Sequence, residues 1–139
     1  MPRWIAAVVV TLIGMGAPAD AAGHRPQIHR QEPYVKARAR LIAQGYLPVR
    51  FSLRRGEFPC ENDPETCKSF PENLYCEGST YVVCAFIFQH RTTGRLWQVL
   101  TEGEVRQRVI EVSQADPCEF AGATAQLPDG RRLIYRRSC

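Results

Sequence analysis

Residues 80–89, TYVVCAFIFQ, are the densest run of β-forming side chains in the chain. At strand spacing, Val82, Cys84, Phe86 and Phe88 share one face, and Tyr81, Val83, Ala85 and Ile87 share the other. Both faces are apolar. The segment therefore predicts a central strand covered on each side.

Downstream, Thr93-Gly94 makes a turn and residues 96–101 (LWQVLT) return as a second strand. Gly103 turns the chain again into a strand over 105–112. Residues 125–127, then Pro128-Asp129-Gly130, then 132–136 read as a terminal hairpin. Upstream, Pro33 sits where helices start, and YVKARARLIAQG (34–45) follows. Tyr34, Val35, Ala37, Ala39, Leu41 and Ile42 fall on one broad helical arc. Gly45 suits the left-handed position after the helix, and Pro48 prevents its resumption. Arg38 interrupts the apolar arc: either its stem packs and its head snorkels to water, or it meets a carboxylate from the sheet. Residues 49–53 suit a short strand. Residues 54–79 have no period of either kind and carry Pro59, Pro64 and Pro71. The expected fold is α+β in two layers, one N-terminal helix packed on an antiparallel meander of three to four strands.

The first residues read as a targeting segment. Arg3 supplies a positive start, and residues 5–17 (IAAVVVTLIGMGA) follow without a charge. That stretch is too short to span a bilayer and suits a signal peptide. Ala19-Asp20-Ala21 has the small-x-small pattern of a cleavage site, with the bond after Ala22 as its rival. The expected organisation is a signal peptide over 1–21, a flexible leader over 22–32 (AGHRPQIHRQE) and a single α+β domain over 33–139. Export to the periplasm or beyond places the mature chain in an oxidising space. No second apolar run follows, so no transmembrane segment is expected after signal removal.

All six cysteines, Cys60, Cys67, Cys76, Cys84, Cys118 and Cys139, lie downstream of that signal. No CxxC occurs among them, which argues against a thioredoxin-type redox motif and the usual zinc knuckle. An even count in an oxidising space reads as a disulfide framework. Six cysteines allow about 15 pairings and the sequence does not choose among them; the pairing taken as the expectation is Cys60–Cys67, Cys76–Cys84 and Cys118–Cys139, because the first two close small loops and the third ties the C-terminus back.

The net charge of +4 comes almost wholly from arginine, since Lys36 and Lys68 are the only lysines. A charge of this size is ordinary for a soluble domain. Within it, Arg131, Arg132, Arg136 and Arg137 cluster at the two ends of one short strand, where guanidinium forks suit phosphates of a polyanion or the cell envelope. A nucleic-acid partner is not expected.

Catalytic machinery is not evident. His90 stands alone beside a turn, without GxSxG or HExxH around it, and is expected at the surface. Glu102 and Glu104 flank Gly103, where turn acidity for solubility explains them. Glu57, Glu61, Asp63 and Glu65 lack the spacing of a calcium loop. Tyr81, Phe86 and Trp97 are expected to pack in the core. Cleavage after Ala21 would leave Ala22-Gly23-His24 at the N-terminus. Their amine, two amide nitrogens and imidazole form the square plane that Cu(II) or Ni(II) prefers, with His29 available axially. No resident cofactor is expected.

The combination of Tyr34, Ala37, Arg38, Leu41, Gly45, Tyr46 and Pro48 with Cys60, Cys76, Cys84, Phe86, Phe88, Gly94, Leu96, Thr101, Gly103 and Glu104 resembles a group of small exported, cysteine-containing proteins of Gram-negative bacteria. That group has no established activity, so the resemblance implies a compartment and a helix-loop-hairpin fold, and no site residues. The expected function is a non-enzymatic binding module that uses a sheet edge or the stapled loop over 54–79, with an unidentified protein or envelope partner. The alternatives are an inhibitor of a lysozyme-type hydrolase, because Gly78-Ser79-x-Tyr81 beside Cys76 resembles such an inhibitor's loop, and a polyanion or cell-envelope binder.

Overall fold

The structure is a computed structural model that describes residues 25–52 and 64–135. The first helix, α1 (Tyr34–Ala43), is followed by two short strands, β1 (Tyr46–Pro48) and β2 (Arg50–Ser52). A short helix α2 (Pro64–Ser69) leads into β3 (Asn73–Glu77). The hairpin strands β4 (Val83–His90), β5 (Leu96–Glu102) and β6 (Arg108–Gln114) come next. A 3-10 turn (Pro117–Phe120) precedes the final pair, β7 (Thr124–Gln126) and β8 (Arg132–Ile134).

The strand at 83–90 is central, as its two apolar faces require. One edge of β4 pairs with β5, and the other is shared by β3 and β1, giving a five-stranded antiparallel sheet. β6 continues the sheet beyond β5. On one face Cys84, Phe86 and Phe88 pack with Trp97, Val99 and Val109 against Tyr34, Ala37 and Leu41 of α1. On the other face Ile87 and Leu96 pack against Val49, Phe51, Phe120, Ala125 and Leu127.

That second core corrects the expected two-layer meander. β2, β7 and β8 form a separate three-stranded sheet, which covers the face of β4 that the helix leaves open. The chain therefore forms three layers: helix, large sheet, small sheet. Val49 is the crossing point. It is fully buried between β1 in the large sheet and β2 in the small one, and its N–H donates to the Ile87 carbonyl oxygen at 3.0 Å.

The stretch over 54–79, expected to be irregular throughout, holds α2 and β3. β3 is only five residues long and its register shifts between Asn73 and Tyr75, so it carries no clean alternation to read. The leader also differs from expectation from Arg25 onward. Gln27 N–H donates to Gln44 Oε1 at 2.8 Å, and Gln44 Nε2 donates to the Gln27 carbonyl oxygen at 2.9 Å. Ile28 packs on the helix-side core, and Gln31 N–H donates to the Val109 carbonyl oxygen at 2.7 Å. Backbone pairing along β6 and one apolar anchor replace the expected freedom. Gly45 takes φ of +88° after the helix, as expected of that position.

Cys76 and Cys84 sit directly opposite each other on β3 and β4, 4.1 Å apart at Cα, and form a disulfide. Cys118 is disulfide-bonded too. The expected pairings of Cys60 with Cys67 and of Cys118 with Cys139 involve residues outside the described ones. No helix among the described residues is long and apolar enough to cross a membrane.

Candidate binding groove

The two surfaces favoured by the sequence, the stapled loop and a sheet edge, both contribute to the lining of a cavity of about 540 Å³. The start of α1 lines it with Val35, and α2 with Glu65, Thr66 and Ser69. The β5–β6 turn and the start of β6 add Glu104, Val105, Arg106 and Arg108, and α1 joins this strand through Tyr34 N–H, which donates to the Gln107 carbonyl oxygen at 2.9 Å. Tyr34 and Phe70 also line it, their rings edge-to-face at 5.1 Å. Val35 and Val105 are 64% and 90% exposed, so two apolar side chains that line one cavity stand in water. The turn wall depends on Gly103, which holds φ of +106°; a Cβ there would lie 2.9 Å from the Arg106 carbonyl oxygen.

Beside the groove lies a buried charge network. Arg38 meets a carboxylate, Glu72, from the turn that enters β3, so the second of its two expected environments is the one observed. The Arg38 Nε–H donates to Glu72 Oε1, and Nη2 donates to Oε2 at 3.3 Å. Tyr34 Oη donates to the same Oε1 at 2.8 Å. The Glu72 side chain is 0% exposed, against 27% for Arg38. The guanidinium also lies over the Phe70 ring, 5.8 Å from its centroid. Tyr34 stacks on Phe86 at 3.9 Å, so one ring joins the groove, the carboxylate and the core. The network ties α1 to the α2–β3 connection and thereby sets the position of one groove wall.

Burial first, then the charge and hydrogen bond of Glu72, raise the Tyr34 hydroxyl well above its ordinary value of 10.0. A group raised on folding contributes stability in full below its unfolded pKa and loses it as pH rises. The wild-type chain should therefore lose melting temperature as pH climbs above about 10. Tyr34→Phe should be less stable at pH 7 by about 1–2 kcal/mol, because a bond to a charged acceptor is lost, yet show a shallower alkaline decline. Tyr46 and Tyr135, also raised by burial, retain the rest of the slope. Thermal melts of both forms from pH 7 to 11 check this; parallel alkaline slopes would count against it.

Other sequence candidates fall elsewhere. His90 is buried, which corrects its expected surface position: its Nδ1 lies 3.1 Å from Thr93 Oγ1 and accepts the Thr93 N–H at 3.3 Å, while its ring packs edge-on to Tyr46. It organises the β4–β5 turn. Phe86 and Trp97 are core residues, but Tyr81 is 79% exposed, because β4 begins two residues later and Tyr81 belongs to the β3–β4 loop. Glu102 accepts from Gln31 Nε2 at 3.1 Å, and Glu104 lines the groove. Glu57, Glu61 and Asp63 lie outside the described residues, while Glu65 lines the groove from α2. Among the described residues no three His, Cys, Asp or Glu side chains gather as a metal site. Ala22, Gly23 and His24 lie outside the described residues, and His29 is exposed.

The arginine cluster is divided. Arg131 pairs with Asp129, Nε to Oδ2 at 2.7 Å, and its backbone N–H donates to Oδ1 at 3.0 Å; these bonds lower the Asp129 pKa. Arg132 lies on β8, with Arg50 of β2 across the same sheet, and Arg136 and Arg137 lie outside the described residues. The groove itself was not legible as a unit, since its walls are more than thirty residues apart in sequence; the exposed valine between charges in GEVRQR was the one local signal. Comparison with protein-family models, with curated proteins and with solved structures finds no match to this chain.

Proposed function

We propose that the chain is an exported, disulfide-stabilised binding module without catalytic activity, which holds an extended segment of a protein partner in the groove between α1, α2 and the β5–β6 turn. The observation that carries the reading is the pair of exposed valines, Val35 and Val105, that line one concave cavity. Its volume falls in the range of ligand sites, roughly 300–1,000 Å³. An apolar side chain of the partner fills the space between the valines against Phe70, while Glu65, Glu104, Arg106 and Arg108 offer charged rim contacts. The disulfide and the Arg38–Glu72 network hold the frame in place before binding, which lowers the ordering cost.

Capture from periplasmic extract tests this, with wild-type protein and Val105→Asp as paired baits. A specific protein retained by wild type and reduced at least about tenfold by Val105→Asp, the effect of about 1.4 kcal/mol at a buried contact, is the expected result. Val105 is 90% exposed, so the substitution leaves the core untouched. Equal recovery by both baits, or nothing above background, would sink the proposal.

A second reading has one observation in its favour. The β3–β4 loop presents Tyr81 to solvent directly beyond the Cys76–Cys84 disulfide, a rigid arrangement suited to entering an enzyme cleft. A hydrolase inhibitor of the lysozyme type fits it, although two basic proteins lose electrostatic steering towards each other. Unchanged lysis rates with the protein in molar excess would remove it.

A further inference from the structure

The outer face of the small sheet carries a different chemistry from the groove. Register places Arg50 opposite Gln126 and Gln126 opposite Arg132, so these three form one row across β2, β7 and β8. Ser52 and Thr124 lie opposite each other in the next row on the same face. The inward positions between them are Phe51, Ala125 and Leu133, which pack into or against the second core. Among the described residues, a cavity of about 290 Å³ is lined by Arg50, Ser52, Thr124, Ala125, Gln126 and Arg132, with no acidic residue in that set.

We infer that this face is a binding site for a ligand carrying several phosphate groups, gripped by Arg50 and Arg132 with Gln126 and Thr124 donating between them. Neighbouring strands are spaced about 4.8 Å, which sets the two arginine backbones about 10 Å apart with Gln126 midway. Each guanidinium presents a planar fork of donors matched to a phosphate, so two forks at this spacing favour an oligophosphate over a single ion. Arg50 and Ser52 also have interactions within the chain. These help to order them, and a guanidinium with five N–H donors retains capacity for a ligand. The site is independent of the groove reading. It also relocates the expected polyanion contact: Arg132 stays, Arg131 is engaged by Asp129, and Arg50 joins from a distant part of the sequence.

Calorimetric titration with inorganic polyphosphate, and separately with orthophosphate, tests the inference across a range of salt concentrations. Wild-type protein should bind polyphosphate at low salt and orthophosphate at least about tenfold more weakly. Arg50→Gln and Arg132→Gln should each weaken polyphosphate binding about five- to tenfold, and the double variant should lower the slope of log affinity against log salt by about 1 to 2. All lining charges are exposed, so melting curves should remain at the wild-type position. Arg91→Gln with Arg95→Gln removes the same two charges from the exposed β4–β5 turn and should cost less than about threefold. Equal losses in the two double variants would reduce the effect to net charge and overturn the site. Absence of polyphosphate binding, or orthophosphate binding as tight as the polymer, would overturn it as well.

Discussion

Cys84→Ser should lower the free energy of unfolding by about 2.5 kcal/mol, the loop-closure entropy released when a staple of this length is lost. The estimate follows from the short separation of eight residues between Cys76 and Cys84. Cys84 is fully buried, so an unsatisfied hydroxyl there would add a further cost. The surroundings offset it. Gln107 Nε2 lies 3.4 Å from the Cys84 sulfur, and Thr101, directly opposite on β5, has a buried hydroxyl with no hydrogen-bond partner among the described residues. A serine hydroxyl at position 84 has both within reach, and Cys84→Ala should be the less stable of the two variants. Urea unfolding under non-reducing conditions reads the difference: the midpoint should fall by about 1–2 M for serine. A midpoint equal to wild type would mean that the disulfide constrains nothing that unfolding releases.

Where the sequence was legible, the signal was burial on a regular period. The run from Val83 to His90 declared both its strand character and its two covered faces, and the arc from Tyr34 to Leu41 declared the helix. The second sheet was hidden because its strands are three residues each, too short for alternation to be read. Its necessity was nevertheless implicit in Ile87 and Leu96, apolar residues on the face away from the helix that had to be covered by something. β3 was obscured by its register shift, and Tyr81 was drawn into the strand reading by aromatic propensity although the loop claims it.

The candidate surfaces were less legible than the fold, for a topological reason. Both bring together residues from distant parts of the chain: Val35 with Val105 in the groove, Arg50 with Arg132 on the small sheet. Local sequence registers what a residue is, and only strand register and helix packing decide whom it meets. Arg38 shows this at one position. Its place on the apolar arc announced an anomaly, while the answer, Glu72, lay in a segment with no pattern of its own.

Arg38→Leu should be the most damaging single change among the charged residues, at about 3 kcal/mol, because it leaves the Glu72 carboxylate buried without its cation. A leucine on an apolar helix face would be neutral or favourable if Arg38 merely snorkelled, so the sign of the effect separates the two environments. The partial exposure of Arg38 places the effect at the lower end of the range for buried pairs. Loss of the contact over Phe70 adds about 0.5 kcal/mol. Removing both members, Arg38→Leu with Glu72→Leu, should cost less than Arg38→Leu alone, since no charge is then stranded and Tyr34 loses only one acceptor. The coupling between the two sites should exceed about 1.5 kcal/mol in a double-mutant cycle and persist at high salt, because a carboxylate without solvent exposure is poorly screened. Thermal melts at neutral pH measure it, with a fall of more than about 10 °C expected for Arg38→Leu. Because the same network positions the α2 wall, the double variant, although the more stable, should still lose affinity for a groove partner. Additive single effects and an unchanged melting temperature for Arg38→Leu would show that the pair holds neither the fold nor the groove.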